Sequence, residues 1–269
     1  MQKRKGARLG QHFLKHGWAA AKLAHAVPLR EGEVFLEIGP GKGVLTKELL
    51  KLGHVVAVEK DPLLVGKLHT MFADELRAGR LTLVEQDIRD FNTESWQLKA
   101  ESYIVAANIP YYITGEIIRQ FLTADKQPRA MALLVQKEVA QRIVGREQRT
   151  ENGTKESILS LSVKAYGTPR IIARVGASHF SPPPSVDSAI LVIENISKRF
   201  FDSISEEKFF ALVHAGFASK RKQLKGNLKK YFGLGVGDVL RSCGIFETAR
   251  AETVSLKQWA MLTKQLMTI

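Results

Sequence analysis

The chain has 269 residues, room for one large α/β domain and a smaller companion, and its 45% hydrophobic content is ample for a core. A formal net charge of +13 favours a polyanionic partner, because neutralising phosphates releases their counterions. No apolar run approaches the ~18 residues of a spanning helix, no apolar signal core opens the chain, and the single Cys243 excludes an internal disulfide and a cysteine-built zinc site; a cytoplasmic protein without a membrane association is expected.

Residues 1–17 form a basic arm carrying Lys3, Arg4, Lys5, Arg8 and Lys15 with no acid. Such an arm is either a tail or a nucleic-acid contact. His12 and His16 have no third ligand nearby, so no metal site is expected. An amphipathic helix is predicted over Ala19 to Ala26.

From Val34 onward strand and helix patterns alternate, which predicts a parallel sheet wound by helices. The first strand ends in Glu37, and Gly39, Gly41 and Gly43 follow at alternate positions before the helical run Val44 to Leu52. Glycines there let the backbone approach a ligand closely. A dinucleotide fold would want a third glycine where Val44 stands, and the phosphate-loop pattern is absent. Glu37 in the mouth of the turn would repel a pyrophosphate and suits a ligand carrying an ammonium and a sulfonium. That points to S-adenosylmethionine as cofactor, another nucleotide being the alternative.

The second strand, His54 to Val58, leads to Glu59, twenty residues beyond Gly39, where an acid accepts hydrogen bonds from ribose hydroxyls. The third, Leu81 to Glu85, leads to Asp87, placed to accept from the adenine amine, with Ile88 beside the ring. Asp87 also reads as a helix N-cap, and the two roles are compatible. The fourth, Tyr103 to Ala107, runs into Asn108-Ile109-Pro110-Tyr111. The lone pair of adenine N6 is delocalised into the ring. Were the Asn108 side-chain oxygen and the Ile109 carbonyl both to accept from that amine, the nitrogen would turn tetrahedral and nucleophilic. Pro110 holds the turn through its locked dihedral, and Tyr111 offers a face for the target base.

A fifth strand is predicted at Met131 to Val135, then a helix from Gln136 to Val144 and a mobile polar loop from Arg146 to Lys155. Strand-like runs at Arg170 to Val175 and Ala189 to Ile193 flank Phe180-Ser181-Pro182-Pro183-Pro184. Two readings of that stiff loop stand open: it holds Phe180 over the pocket as a second stacking surface, or it is a connector with Phe180 in the core. A boundary near residues 196 to 204 divides domain 1–198 from a helical domain 199–269. The latter carries Lys220, Arg221, Lys222, Lys225, Lys229 and Lys230 in one acid-free run with leucines on the other side, a candidate RNA-backbone patch.

Together GQHFL (10–14), EIGPGKGVLT (37–46), VEKD (58–61), NIPYYIT (108–114), FSPPPSVDSAIL (180–191) and HAGFASKRKQLKGNL (214–228) make the whole chain resemble the KsgA-type ribosomal RNA adenine N6-dimethyltransferase family. The resemblance implies a Rossmann-like S-adenosylmethionine-dependent methyltransferase domain and a small all-helical C-terminal domain that grips RNA. It implies dimethylation of two adjacent adenosines in the 3′-terminal hairpin loop of small-subunit (16S) ribosomal RNA, in an assembling 30S subunit; a monomer is the default expectation. It also implies cofactor contacts at His12, Leu14, Gly39, Glu59, Asp87 and Asn108, with Glu37 and Gly41 in the same turn, and base stacking at Tyr111 and Phe180. Family members often carry Asn where this chain has His12, which leaves open whether that contact is made by side chain or backbone. Three rivals remain: an Erm-type enzyme acting on large-subunit RNA, an RNA-binding factor without chemistry, and a nicotinamide oxidoreductase, which the glycine spacing disfavours.

Overall fold

The computed structural model describes residues 12–15, 17–92, 100, 102–145, 149–150, 153–219 and 221–268. In chain order the first half contains β1 (Phe13–Leu14), α1 (Gly17–Ala24), β2 (Glu33–Ile38), α2 (Val44–Leu49), β3 (Val55–Glu59), α3 (Pro62–Met71), α4 (Ala73–Arg77), β4 (Leu81–Glu85), β5 (Ser102–Asn108) and α5 (Thr114–Thr123). The second half contains β6 (Ala130–Gln136), α6 (Lys137–Val144), β7 (Arg149–Thr150), β8 (Gly153–Thr154), α7 (Ile158–Tyr166), β9 (Thr168–Val175), β10 (Phe180–Ser181), β11 (Ser188–Glu194), α8 (Glu206–Phe217), α9 (Leu224–Phe232), α10 (Val236–Ser242) and α11 (Leu256–Thr268). The chain separates into two compact units, residues 1–140 with 168–196, and residues 141–167 with 197–269.

The first unit is built on a seven-stranded sheet ordered β4-β3-β2-β5-β6-β11-β9. Its first five strands are parallel, and β11 runs antiparallel to both β6 and β9. Such strands are buried on both faces and read as continuous apolar runs. In β5, Ile104 and Ala106 join the core formed with α1 and α2, while Tyr103, Val105 and Ala107 at the alternate positions are also fully buried. The chain leaves β2 towards β3 and β4, then returns to place β5 on the other side of β2. That reversal opens a crevice at the carboxyl ends of β2 and β5, where ligands of open α/β sheets bind.

The predicted strands match the observed ones within two residues at either end. The short pairs β1–β10 and β7–β8 and the helix α7 do not follow from the sequence pattern, β7–β8 falling in the stretch 146–155 expected as a loop. Residues 158–166 form helix α7, started by a capping box in which Ser157 and Ser160 each accept from the other's backbone N–H. Leu161 and Ala165 on α7 belong to the core of the second unit, with Phe209, Leu212, Leu228 and Trp259. The expected boundary therefore differs from the observed division, because α7 packs with helices that follow it by forty residues or more. Lys164 pairs with Glu156, and the Tyr166 hydroxyl donates to Glu206.

Within the second unit α8 crosses α11 closely at Gly216. A Cβ there would stand 2.3 Å from Trp259 Cη2 and 2.9 Å from Leu224 Cδ1. The Gly216→Ala variant is therefore expected to lose about 1–3 kcal/mol of stability through overpacking. Urea unfolding with an unchanged midpoint would contradict this.

Candidate active site

The rim of the crevice is assembled from the ends of four adjacent strands. Ile38 ends β2 with Gly39 after it, Glu59 ends β3, Gln86, Asp87 and Ile88 follow β4, and Asn108 ends β5. With His12, Phe13 and residues 109–113 they line an open cleft of about 770 Å³ including its mouth. A second cavity of about 310 Å³ adjoins it, lined by Phe13, Leu14, Glu37, Gly39, Lys42, Leu45 and Asn108 among others.

The turn between β2 and α2 needs its glycines. Gly41 and Gly43 have φ of +58° and +76°, a region most residues avoid. Each also gives way to a ring: a Cβ would lie 2.9 Å from Phe13 Cε1 at Gly41 and 2.7 Å from Phe72 Cε2 at Gly43. Gly39 is in the cleft wall itself, whereas Gly41 acts beneath it, donating its N–H to Glu59 Oε2 at 3.0 Å.

Three backbone N–H groups, those of Gly41, Lys60 and Asp61, hold the buried Glu59 carboxylate. A carboxylate offers about four acceptor positions, so one stays available for a hydroxyl. Asp87 caps the turn that follows β4 by accepting from Arg89 N–H, and Arg89 clamps it side-on. That hydrogen-bonded guanidinium lowers its pKa to about 2, so it is an anion at neutral pH.

Glu37 is different. It is fully buried, and neither its two oxygens nor the nearby Thr46 hydroxyl finds a hydrogen-bond partner among the described residues. Desolvation pushes its pKa up to about 8, opposed by the proximity of Thr46 and reinforced by the charge of Glu59. An orphaned buried carboxyl beside a glycine cradle fits a ligand that brings an ammonium to it. The residues present thus suit S-adenosylmethionine: Glu37 for the amino group, Glu59 for ribose, Asp87 with Ile88 for adenine.

The arm reaches this rim because β1 pairs with β10, Phe13 opposite Ser181 and Leu14 opposite Phe180. His12 accordingly arrives beside Asn108, whose Nδ2 donates to the His12 carbonyl at 2.9 Å. That bond fixes the amide so that Oδ1 is the atom left for a ligand. The His12 ring donates from Nδ1 to the Pro182 carbonyl at 2.8 Å and lies 5.7 Å from the Tyr111 ring. His12 thus touches the rest of the chain through both its backbone and its side chain. Tyr111 is held by a 2.7 Å hydrogen bond with Ser188 Oγ, and burial raises its pKa. The Ile109 N–H donates to Leu134 O, anchoring the peptide before Pro110 to the sheet.

One expectation is corrected. Phe180 does not lie over the cleft: its ring is 0% exposed and belongs to the core of the first unit, drawn inward by the pairing of β10 with β1. The cleft aromatic open to solvent is Tyr112, 62% exposed, which the sequence pattern did not single out. Lys42 over the Phe13 ring at 5.0 Å and Lys60 beside Asp87 at 3.8 Å were missed likewise. In the second unit Arg221, Lys222 and Lys225 are exposed, while Lys220 lies outside the described residues. Lys222, Lys225 and Lys229 line one open groove with Leu234. Its charge is less pure than the sequence run suggests, because Glu247 folds back to pair with Lys225.

The groups along this rim suit a nucleoside with a cationic amino-acid tail, and the protein is an S-adenosylmethionine-dependent methyltransferase of the Rossmann-like class. Two solved structures share the fold over nearly the whole chain. The 23S rRNA methyltransferase ErmE superposes with a TM-score of 0.75 at 23% identity, covering 95% of this chain and 99% of its own. A dimethyladenosine transferase from Plasmodium falciparum gives 0.76 at 24%, covering 96% and 98%. Residues 2–268 match the family Ribosomal RNA adenine dimethylase, and the chain belongs to that family. Among relatives, the Ribosomal RNA small subunit methyltransferase A of Dehalococcoides mccartyi is 38% identical over 97% of this chain and 88% of its own length. That of Geobacter sulfurreducens is 36% identical over 96% and 94%.

Proposed function

We propose that this enzyme dimethylates N6 of two adjacent adenosines in the 3′-terminal hairpin loop of small-subunit ribosomal RNA, acting as a cytoplasmic monomer on the assembling 30S particle. The observation that carries the chemistry is the Asn108 amide, locked by the His12 carbonyl with Oδ1 free to accept. The relatives named for the small subunit, each matched over most of its length, support the choice of RNA.

When bound, S-adenosylmethionine supplies an electrophilic sulfonium methyl. Asn108 Oδ1 and the Ile109 carbonyl accept the two N–H bonds of the target amine, drawing its lone pair out of the purine. Pro110 keeps that carbonyl in place, and Tyr111, tethered to Ser188, takes the base on its face. The chain's share is positioning and electrostatic stabilisation. The methylated nitrogen is strongly acidic and gives its proton to water without a dedicated base. His12, Leu14, Glu37, Gly39, Gly41, Glu59 and Asp87 form the cofactor side of the site. Arg221, Lys222 and Lys225, with Lys220 beside them in sequence, track RNA phosphates.

Incubation with methyl-labelled cofactor and separated ribosomal subunits tests this reading. Label is expected at two neighbouring adenosines of small-subunit RNA. Label confined to large-subunit RNA would overturn it in favour of the Erm-type alternative.

A further inference from the structure

The ladder that brings the arm to the cleft has an outer end, and an exposed indole stands there. Trp18, in the first turn of α1, is 52% exposed, and its ring lies 5.5 Å from the His179 imidazole at an interplanar angle of 35°. His179 is held by the same clasp: Lys15 N–H donates to its carbonyl at 2.8 Å, next to the pairing of Phe180 and Ser181 with β1. Two segments some 160 residues apart in sequence thus bring these two rings together, on the same arm whose His12 and Phe13 line the cleft.

Its surroundings are basic. Lys15 is exposed, with Nζ 3.4 Å from the Ser178 carbonyl. Lys22 and His25 follow Trp18 at helical spacing, both exposed, and α1 contains no acid. The neighbouring carboxylate of Glu48, from α2, is engaged by Lys51 at 2.7 Å. In sequence, Lys3, Arg4, Lys5 and Arg8 precede this surface. A half-open indole with exposed cations near it in sequence, on the arm that reaches a site whose substrate must leave its stack to enter, has the chemistry of a base-stacking platform.

We infer that Trp18, with Lys15 and Lys22, receives an unpaired RNA base flanking the target adenosine, the indole stacking the base and the two lysines meeting its phosphates. The inference rests on the ribosomal RNA reading above and adds a residue outside the reacting centre.

The test titrates a labelled RNA hairpin, its loop containing two adjacent unpaired adenosines, against the full chain at several salt concentrations. S-adenosylhomocysteine binding, measured by calorimetry on every variant, serves as the check on the fold. Trp18→Ala is expected to weaken hairpin binding about tenfold, with its salt dependence unchanged. Trp18→Phe should recover most of the loss. The double variant Lys15→Ala/Lys22→Ala should instead flatten the salt slope by about 1.4, at about 0.7 per phosphate contact. Wild-type hairpin affinity in Trp18→Ala removes the platform and leaves the methyltransferase reading intact. Equal losses in the Ala and Phe variants accompanied by lost S-adenosylhomocysteine binding assign Trp18 to packing, which also overturns it. A wild-type chain that binds the cofactor product but ignores the hairpin would sink the RNA reading and the platform with it.

Discussion

Asn108→Ala is expected to lower methyl transfer to adenosine by about three orders of magnitude, the loss that follows removal of a preorganised group facing developing charge. The side chain also ties the end of β5 to the arm through the His12 carbonyl, so truncation removes the acceptor and loosens the clasp together. Asn108→Asp separates the two roles. It keeps the shape and an oxygen toward the amine, but loses the donor to His12 and sets an anion against a carbonyl. It should therefore be nearly as inactive as the alanine variant. Binding of S-adenosylhomocysteine should suffer less in either Asn108 variant than in Glu59→Ala, because Glu59 also fastens the Gly41, Lys60 and Asp61 amides that shape the turn. Single-turnover rates with calorimetric affinities check the ranking, and a Glu59 variant that binds better than the Asn108 variants would refute it.

Glu37→Gln is expected to move stability and affinity in opposite directions. Without ligand the Glu37 carboxyl is raised from an ordinary 4.5 to about 8. Between those values the folded chain keeps a proton that the unfolded chain releases, so this group erodes stability as pH rises through the window. The penalty is absent below the lower value and complete above the upper one. At about 1.4 kcal/mol per unit it amounts to a few kcal/mol. A neutral amide does not incur it, so Glu37→Gln should melt several degrees above wild type at pH 8.5 and match it near pH 4.5. Binding tells the reverse. An ammonium brought to Glu37 needs the carboxylate, so wild-type affinity for S-adenosylhomocysteine should weaken as pH falls below about 8. The Gln variant should bind about a hundredfold more weakly with a flatter profile, as expected when one partner of a buried ion pair is removed. The neighbours facing this carboxyl are Thr46, Glu59 and, across the same cavity, Lys42, and none is altered by the substitution. Equal affinities for wild type and Glu37→Gln would show that the orphan carboxyl has another purpose.

The parts of the site legible in sequence are those whose geometry is local. An acid two residues before a run of alternate glycines, an acid at the end of the next strand, and Asn-Ile-Pro-Tyr after the fourth each carry their own backbone instructions. Their places at the strand ends are readable because strand, turn and helix follow one another within a few residues. Phe180 was ambiguous for a corresponding reason. Three prolines after it announce a stiff loop, but nothing in that loop says that Phe13 and Leu14, about 165 residues earlier, will pair with it and draw the ring into the core. Lys225 reads as an unopposed cation until Glu247 folds against it. Ser157 and Ser160 did signal a helix start, in a form that departs from the usual Ser-x-x-Glu.

By itself the sequence determined the wound α/β architecture, the candidate site positions at its strand ends and the family, because hydrophobic period, glycine dihedrals and proline geometry act over short stretches of chain. Only the tertiary structure decided which way the Asn108 amide faces, that Glu37 stands without a partner among the described residues, that Phe180 is buried while Tyr112 and Trp18 are open, and that α7 joins the later helices. Those outcomes depend on which distant segment covers a side chain, and burial by a remote partner leaves no periodic trace in the residues being covered.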